Sequence, residues 1–164
     1  MRCRAGRIIM NQRISEREKI IKMIINNINT LDARKGIQGK RIIITAGNVT
    51  CEADIFPNET GNAIYESLPI SGFVSRWGDE IYFSIPVTLK RSGDARDVVQ
   101  KGELGYWPDG RAFCIFFGKT PASEGDEIRA ASPVSVFGKI TGDPARLTRV
   151  LVGEKINVAE KKGE

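Results

Sequence analysis

Residues 102–121 concentrate aromatic side chains around one turn, and this stretch constrains the fold more than any other part of the chain. Short apolar runs flank Pro108, Asp109 and Gly110, which are residue types that favour a tight turn, so the stretch predicts a hairpin. It holds five of the chain's twelve Phe, Trp and Tyr residues: Tyr106, Trp107, Phe113, Phe116 and Phe117. That much aromatic surface is enough to build a barrel wall or an apolar groove.

The chain contains no histidine, which restricts the chemistry open to it. Without imidazole there is no Ser-His or Cys-His nucleophile pair, no His-ligated metal site and no common general base near neutral pH. We therefore predict no catalytic residue, no metal and no cofactor, and we do not expect an enzyme.

Three cysteines, Cys3, Cys51 and Cys114, are widely spaced. An odd number at such spacing fits neither a disulfide framework nor a zinc site. No run of about 18 apolar residues predicts a membrane span, and the start of the chain lacks the apolar core of a secretory signal. These features predict reduced thiols, a cytoplasmic location and no membrane partner.

The net positive charge of the chain comes from its N-terminal end. Residues 1–40 carry ten Lys and Arg against three acids, a net of +7, whereas the remainder carries fifteen against seventeen, a net of −2. A nucleic-acid surface usually interleaves basic and aromatic residues, and here the two types are separated. This argues against nucleic acid as a partner and favours a solvated basic arm, with a tether to an anionic surface as the alternative.

A helix is predicted within this basic segment. Ser15 and Glu18 form a capping box, and apolar residues follow at helical spacing to about Asp32. The apolar face packs either on the protein's own body or on a second subunit, so residues 15–31 could support a homo-oligomer. We predict an N-terminal extension over 1–39 and a separate domain over 40–164.

The rest of the chain reads as short strands separated by Gly, Pro and Asp turn signals. Two short helical segments are expected, over residues 57–68 with Thr60 as a cap, and near residues 143–147. The predicted strands are 41–46, 49–56, 73–77, 80–87, 102–106, 112–117, 134–140 and 154–159. This pattern predicts a mainly β fold in which about eight strands close into a barrel.

Three stretches resemble the cyclophilin-like family of small prokaryotic proteins. They are Arg76–Val87 (RWGDEIYFSIPV), Gly105–Pro121 (GYWPDGRAFCIFFGKTP) and Ala131–Ile140 (ASPVSVFGKI), and the similarity extends over residues 40–159. The resemblance implies an eight-stranded cyclophilin-type barrel in a family largely without assigned function. The chain lacks the Phe-His-Arg and Phe-Met-x-Gln segments of the prolyl isomerases, so no catalytic residue is carried over.

Seven residues are candidates for a ligand-binding groove: Trp77, Glu80, Tyr82, Tyr106, Trp107, Pro108 and Phe113. Aromatic faces of this kind can receive an extended peptide or a small molecule, although the same rings could be barrel core. Strand alternation from Glu80 places Tyr82 on the opposite face from Ile81 and Phe83. Phe83, Ile115 and Phe117 are expected in the core. Glu80 is a better site candidate than Asp79, with a surface ion pair as the alternative, and Cys114 is expected to be core rather than nucleophile.

Three functions follow from this sequence. The first is a non-catalytic binding module for a peptide segment or small molecule. The second is a weak prolyl cis/trans isomerase that uses Arg76 or Arg111 with desolvation. The third is an assembly role for the N-terminal helix.

Overall fold

The computed structural model describes residues 16–24 and 40–162. The chain divides into two compact units, Met1–Gln38 and Gly39–Glu164. In the first unit, residues 16–24 form helix α1, which confirms that the chain has an N-terminal helix. The predicted cap and several residues of the predicted apolar face lie outside the described residues: Ile14, Ser15, Ile25, Ile28 and Leu31.

The second unit is mainly β, as predicted, and its strands account for 43% of the described residues. Its strands are β1 (Arg41–Ala46), β2 (Val49–Ile55), β3 (Ile70–Phe73), β4 (Ser75–Arg76), β5 (Glu80–Ser84), β6 (Arg96–Val99), β7 (Glu103–Trp107), β8 (Ala112–Phe116), β9 (Ile128–Ile140) and β10 (Lys155–Glu160). Helix α2 spans Glu59–Glu66 and a short 3-10 helix spans Pro144–Arg149. No helix among the described residues is long and apolar enough to cross a membrane.

The strands follow the hydrogen-bonded order β3-β10-β1-β2-β9-β7-β8-β5-β4, with β6 attached to β9. All described pairings are antiparallel. The path is open, because its end strands β3 and β4 are not hydrogen-bonded to each other. These two strands follow one another in the chain, with only Val74 between them. The described part of the chain therefore has ten strands rather than about eight, and closure of the barrel is not confirmed.

Two differences from the predicted elements have a clear physical cause. Asn58, not Thr60, caps α2: its side-chain oxygen accepts a hydrogen bond from the Gly61 amide at 2.8 Å, while Thr60 is buried within the first turn of the helix. β6 was not predicted, because Arg96 and Asp97 begin it and leave only two apolar residues as a signal.

The sheet carries a core on each of two faces. The larger one, the inner core, includes Phe83, Ile115 and Phe117, which confirms the core assignment of these three residues. It also contains Ile81 and Phe113, although Phe113 was predicted to line the groove. The smaller one, the outer core, lies across the other face of β5, β8 and β7 and includes Cys114. The middle strand β8 is buried along its whole length as a result.

Candidate functional site

A two-residue turn between β4 and β5 places Trp77 opposite Glu80. The backbone groups of these two residues pair across the turn at 3.0 and 3.3 Å. Gly78 has a φ of +62°, which glycine adopts without strain, and the Asp79 amide donates to the Lys119 carbonyl at 2.9 Å. Because opposite residues of an antiparallel pair project to the same face, Trp77 and Glu80 share the face of the outer core.

Strand alternation adds two more aromatic side chains to this face. Tyr82 lies two residues after Glu80 and therefore points the same way. Across the sheet Tyr82 pairs with Cys114, and Trp107 pairs with Ala112. The small side chains of Cys114 and Ala112 leave open space between Tyr82 and Trp107.

The first half of β9 lies opposite these aromatic side chains. β9 pairs with β7 through Ser135, and Val134 and the residues before it pair with β6 instead. A Cβ on Gly105 would lie 2.7 Å from Val134 Cγ2, so the glycine allows β9 to lie directly on β7. This close approach brings residues 130–134 over the outer face.

Trp107 is held in place on two sides. Its indole Nε1 donates to Ser132 Oγ at 2.8 Å, which satisfies the one polar group of the ring. A Cβ on Gly110 would lie 2.6 Å from two carbons of the indole, so the six-membered ring rests against the turn that follows β7. These two contacts fix the orientation of the ring.

These elements enclose an open cavity of about 290 Å³, lined by Trp77, Glu80, Tyr82, Trp107, Ala130, Ala131, Ser132 and Val134. Its volume is close to the lower end of the range for small-molecule sites, roughly 300 Å³. The distinctive part of this lining consists of three aromatic rings and one acid, and no basic side chain of the described residues belongs to it.

Glu80 is the most unusual of these groups. It is only 7% exposed, and it takes part in no ion pair among the described residues. Loss of hydration raises the pKa of its carboxyl to about 7, although a hydrogen bond from the Cys114 thiol acts in the opposite direction. The alternative expectation, a surface ion pair at Glu80, is wrong, because this side chain is buried and pairs with no cation among the described residues.

The Cys114 thiol lies below the cavity rather than in its lining. Burial raises its pKa well above the usual value, and the charge of Glu80 raises it further. A thiol that stays protonated is a poor nucleophile. Cys114 is therefore a core residue, as predicted, and Cys51 is buried and free in the same way.

The basic side chains near the cavity are engaged elsewhere. Arg76 donates to the carbonyls of Thr148 and Val150 at 3.2 and 3.0 Å, and its guanidinium lies over the Phe117 ring. Arg129 pairs with Asp97 at 2.6 Å. Neither arginine lines the cavity.

The structure brings together four of the seven predicted site residues and separates the other three. Trp77, Glu80, Tyr82 and Trp107 line one cavity. Tyr106 and Phe113 do not line it, and Pro108 lies half-buried in the turn after β7. The site is therefore smaller than the predicted groove.

Alternation explains why Tyr106 and Phe113 are elsewhere. They form a directly opposed pair on β7 and β8, both are fully buried, and both belong to the inner core. The Tyr106 hydroxyl donates to the Val87 carbonyl at 2.7 Å and accepts from the Leu89 amide at 3.2 Å. These contacts satisfy the hydroxyl of Tyr106 inside the core.

Sequence reasoning missed the wall contributed by β9. Ala130, Ala131 and Ser132 lie before the predicted start of that strand, and Pro133 made a strand there improbable. The only available signal was the indole of Trp107, which needs an acceptor when it is partly buried. Nothing in the sequence identifies Ser132 as that acceptor.

The remaining described residues contain no second site of comparable character. No group of three Cys, Asp or Glu side chains among them is placed to hold a metal ion. A larger cavity of about 690 Å³ lies between the start of α2 and residues 88–94, but its lining contains no aromatic side chain.

Comparisons with known proteins agree with the fold. The family model described as cyclophilin-like matches residues 40–159. The solution structure of a hypothetical protein from Archaeoglobus fulgidus is 38% identical, with a TM-score of 0.64, and the similarity covers 75% of this chain and 95% of that one. No curated protein matches the sequence.

Proposed function

The chain belongs to the cyclophilin-like family, and we propose that it is a non-catalytic binding module whose ligand occupies the cavity beside Trp107. The observation that carries this proposal is an open cavity with three aromatic walls and a buried acid. The ligand is a small molecule, or a side chain and its neighbours in a peptide segment. The free, buried thiols of Cys51 and Cys114 support a cytoplasmic location as part of the proposal.

The cavity has the features of a recognition site more than those of a reaction site. Its rings offer apolar faces, and Ser132 and Glu80 offer a few fixed polar groups, a combination typical of ligand sites. The nearest thiol is held protonated by burial. Pre-organisation of Trp107 by Ser132 and Gly110 lowers the entropy lost on binding.

The isomerase alternative has no supporting observation in the site. Arg76 is bound to backbone carbonyls, and Arg111 is exposed in the turn before β8. An assay with a proline-isomer peptide still tests it directly: catalysis that is lost on substitution of Arg76 or Arg111 would replace the binding proposal.

A ligand screen tests the proposal through the two tryptophans, which both line the cavity. Cationic, anionic and neutral small molecules, with short proline-containing peptides, are added while tryptophan emission and melting temperature are recorded. A ligand at ten times its Kd raises the melting temperature by roughly 5 °C. We expect at least one chemical class to give both signals.

Two variants assign such a signal to the cavity. Trp107→Phe removes the indole and its hydrogen bond to Ser132 and is expected to weaken binding. Phe73→Leu alters an aromatic residue that is 69% exposed on β3 and outside the cavity, so it should bind as the natural chain does. A panel in which no compound changes either signal, or equal losses in both variants, would reject the proposal.

A further inference from the structure

We propose that the cavity recognises an alkylammonium group, which Trp77, Tyr82 and Trp107 surround and whose charge the Glu80 carboxylate balances. This inference rests on the proposed function and names the ligand class of the same site. It concerns the charged head of the ligand, which a free small molecule or a modified side chain of a peptide could each carry.

Charge is the first argument. Among the described residues, Glu80 is the only acid that lines the cavity, and no lysine or arginine lines it. The basic residues next in sequence to lining residues are already engaged: Arg76 with backbone carbonyls and Arg129 with Asp97. A buried carboxylate without a cation is costly, and a cationic ligand supplies the missing partner.

The aromatic side chains are the second argument. The face of an indole or phenol ring attracts a cation, most strongly for tryptophan, and aromatic cages are the usual receptors for quaternary ammonium groups. Here two tryptophans and one tyrosine line one cavity with a carboxylate. An anionic ligand would meet the negative faces of the rings and Glu80 together, so the lining selects against it.

Dehydration of Glu80 is the third argument. Burial raises the pKa of this carboxyl to about 7, so near neutral pH it is partly protonated while the cavity is empty. The titratable groups that face it are the Cys114 thiol on β8 and the Tyr82 phenol on its own strand. A bound cation favours the ionised carboxylate and lowers that pKa.

Size is consistent with such a ligand. The cavity holds about 290 Å³, whereas one water in the liquid takes about 30 Å³. A trimethylammonium head fills only part of that space, which leaves room for a short polar tail near Ser132.

Two matched probes test the inference. Choline carries a quaternary ammonium that cannot lose a proton, and its carbon isostere has an uncharged tert-butyl group of the same shape. Each is titrated into the protein while the indole N–H signals of Trp77 and Trp107 are followed by nitrogen-proton NMR. We expect choline to move both signals and to bind about tenfold more tightly than the isostere.

The Glu80→Gln variant removes the charge and keeps the shape. It is expected to bind choline about tenfold more weakly and the isostere unchanged. Glu103→Gln is the matched control, because Glu103 is 4% exposed but pairs with Arg96 at 2.7 Å outside the cavity. This control should preserve the preference for choline.

A pH series on the natural chain keeps the inference testable even if Glu80→Gln does not fold. Affinity for choline should fall as the pH drops from about 8 to about 5, because protonation of Glu80 removes the balancing charge. Affinity for the isostere should not fall. Equal or tighter binding of the isostere, or choline binding without this pH dependence, would overturn the inference.

A third probe separates the two sources of the group. A short peptide with one trimethyl-lysine is compared with free choline: tighter binding of the peptide indicates a protein ligand, and tighter binding of choline indicates a small molecule. If neutral compounds bind and no ammonium probe does, this inference fails while the binding proposal stands. If nothing in the wider screen binds, the binding proposal itself fails.

Discussion

The inner and outer faces of β5, β8 and β7 are built from alternate residues of the same three strands, yet they are packed differently. On the inner face the rings of Phe83 and Phe113 stack at 5.3 Å, and Phe113 meets Phe137 edge-on at 5.0 Å. On the outer face small residues such as Ala112 separate the rings and a cavity remains. The comparison shows that one hairpin can supply both a filled core and the floor of an open cavity.

Adjacent residues make the contrast sharper. Tyr106 is fully buried and uses its hydroxyl to hold the segment at Val87 and Leu89. Trp107, the next residue, is half-buried and uses its N–H to hold the cavity wall at Ser132. The polar tip of each ring therefore fixes structure, but of the two rings only that of Trp107 borders the cavity.

The largest effect should come from removing an inner ring. Phe113→Ala is expected to lower the free energy of unfolding by about 4 kcal/mol, because it leaves a void among large side chains. Trp107→Ala removes a larger ring that already borders open space and should cost less than half as much. Urea denaturation of both variants measures the difference, and similar losses would mean that the two faces are equally important for stability.

Glu80 should show its burial as a pH dependence of stability. Its pKa is about 7 in the folded protein, above the value near 4.3 expected when unfolded. The folded state therefore binds more protons between these values, so this contribution to stability is complete below about pH 4.3 and is lost as the pH rises through about 7. Glu80→Gln removes that loss.

The measurement is a difference between two chains. From about pH 5 to about pH 8, Glu80→Gln should gain roughly 2 to 3 kcal/mol relative to the natural chain. Other titrating groups cancel in the comparison. A difference that does not change with pH would show that the Glu80 carboxyl is more hydrated than its burial implies.

Tyr106→Phe removes one oxygen from the inner face without opening a large cavity. It leaves the Leu89 amide and the Val87 carbonyl without their partner and should cost about 1 to 2 kcal/mol. Thermal unfolding checks the loss. Ligand binding in the outer cavity should be unchanged, and weakened binding would show that the two faces are coupled.

The smallest change in stability is expected for Gly110→Ala. The new methyl would meet the Trp107 ring at 2.6 Å, so the ring must shift, while the exposed turn can adjust. We expect less than about 1 kcal/mol of destabilisation together with a clear change in the Trp107 indole NMR signal. The loss in binding free energy should exceed the loss in the free energy of unfolding. The reverse result would mean that Gly110 supports the fold more than it supports the cavity.

The sequence predicted what local patterns control. Alternation on β5 assigned Ile81 and Phe83 to one face and Tyr82 to the other, and the hairpin of β1 and β2 has its turn at residues 47–48 as expected. The resemblance to the cyclophilin-like family extended this to the whole domain. Alternation and the turn depend on neighbours in the chain, and the resemblance depends on a shared sequence pattern.

Long-range placement could not be predicted in the same way. Whether Tyr106 or Trp107 faces the cavity depends on which side of β7 is covered by β9, and β9 lies about thirty residues further on. The β6 to β9 pairing also depends on distant contacts, because the charged start of β6 gives it little signal of its own. The predicted closure of the sheet is not confirmed, and strand count alone does not decide which edges pair.

Strand β9 belongs to the main sheet in its second half and forms the cavity wall in its first half. Residues 135–140 pair with β7 and β2, whereas residues 128–134 pair only with the short strand β6, and Pro133 has no amide to donate. The two halves should therefore open independently, so amide hydrogens before Pro133 should exchange with solvent sooner than those after it. An occupied cavity would slow exchange in the first half selectively, because release of the wall would then require release of its guest.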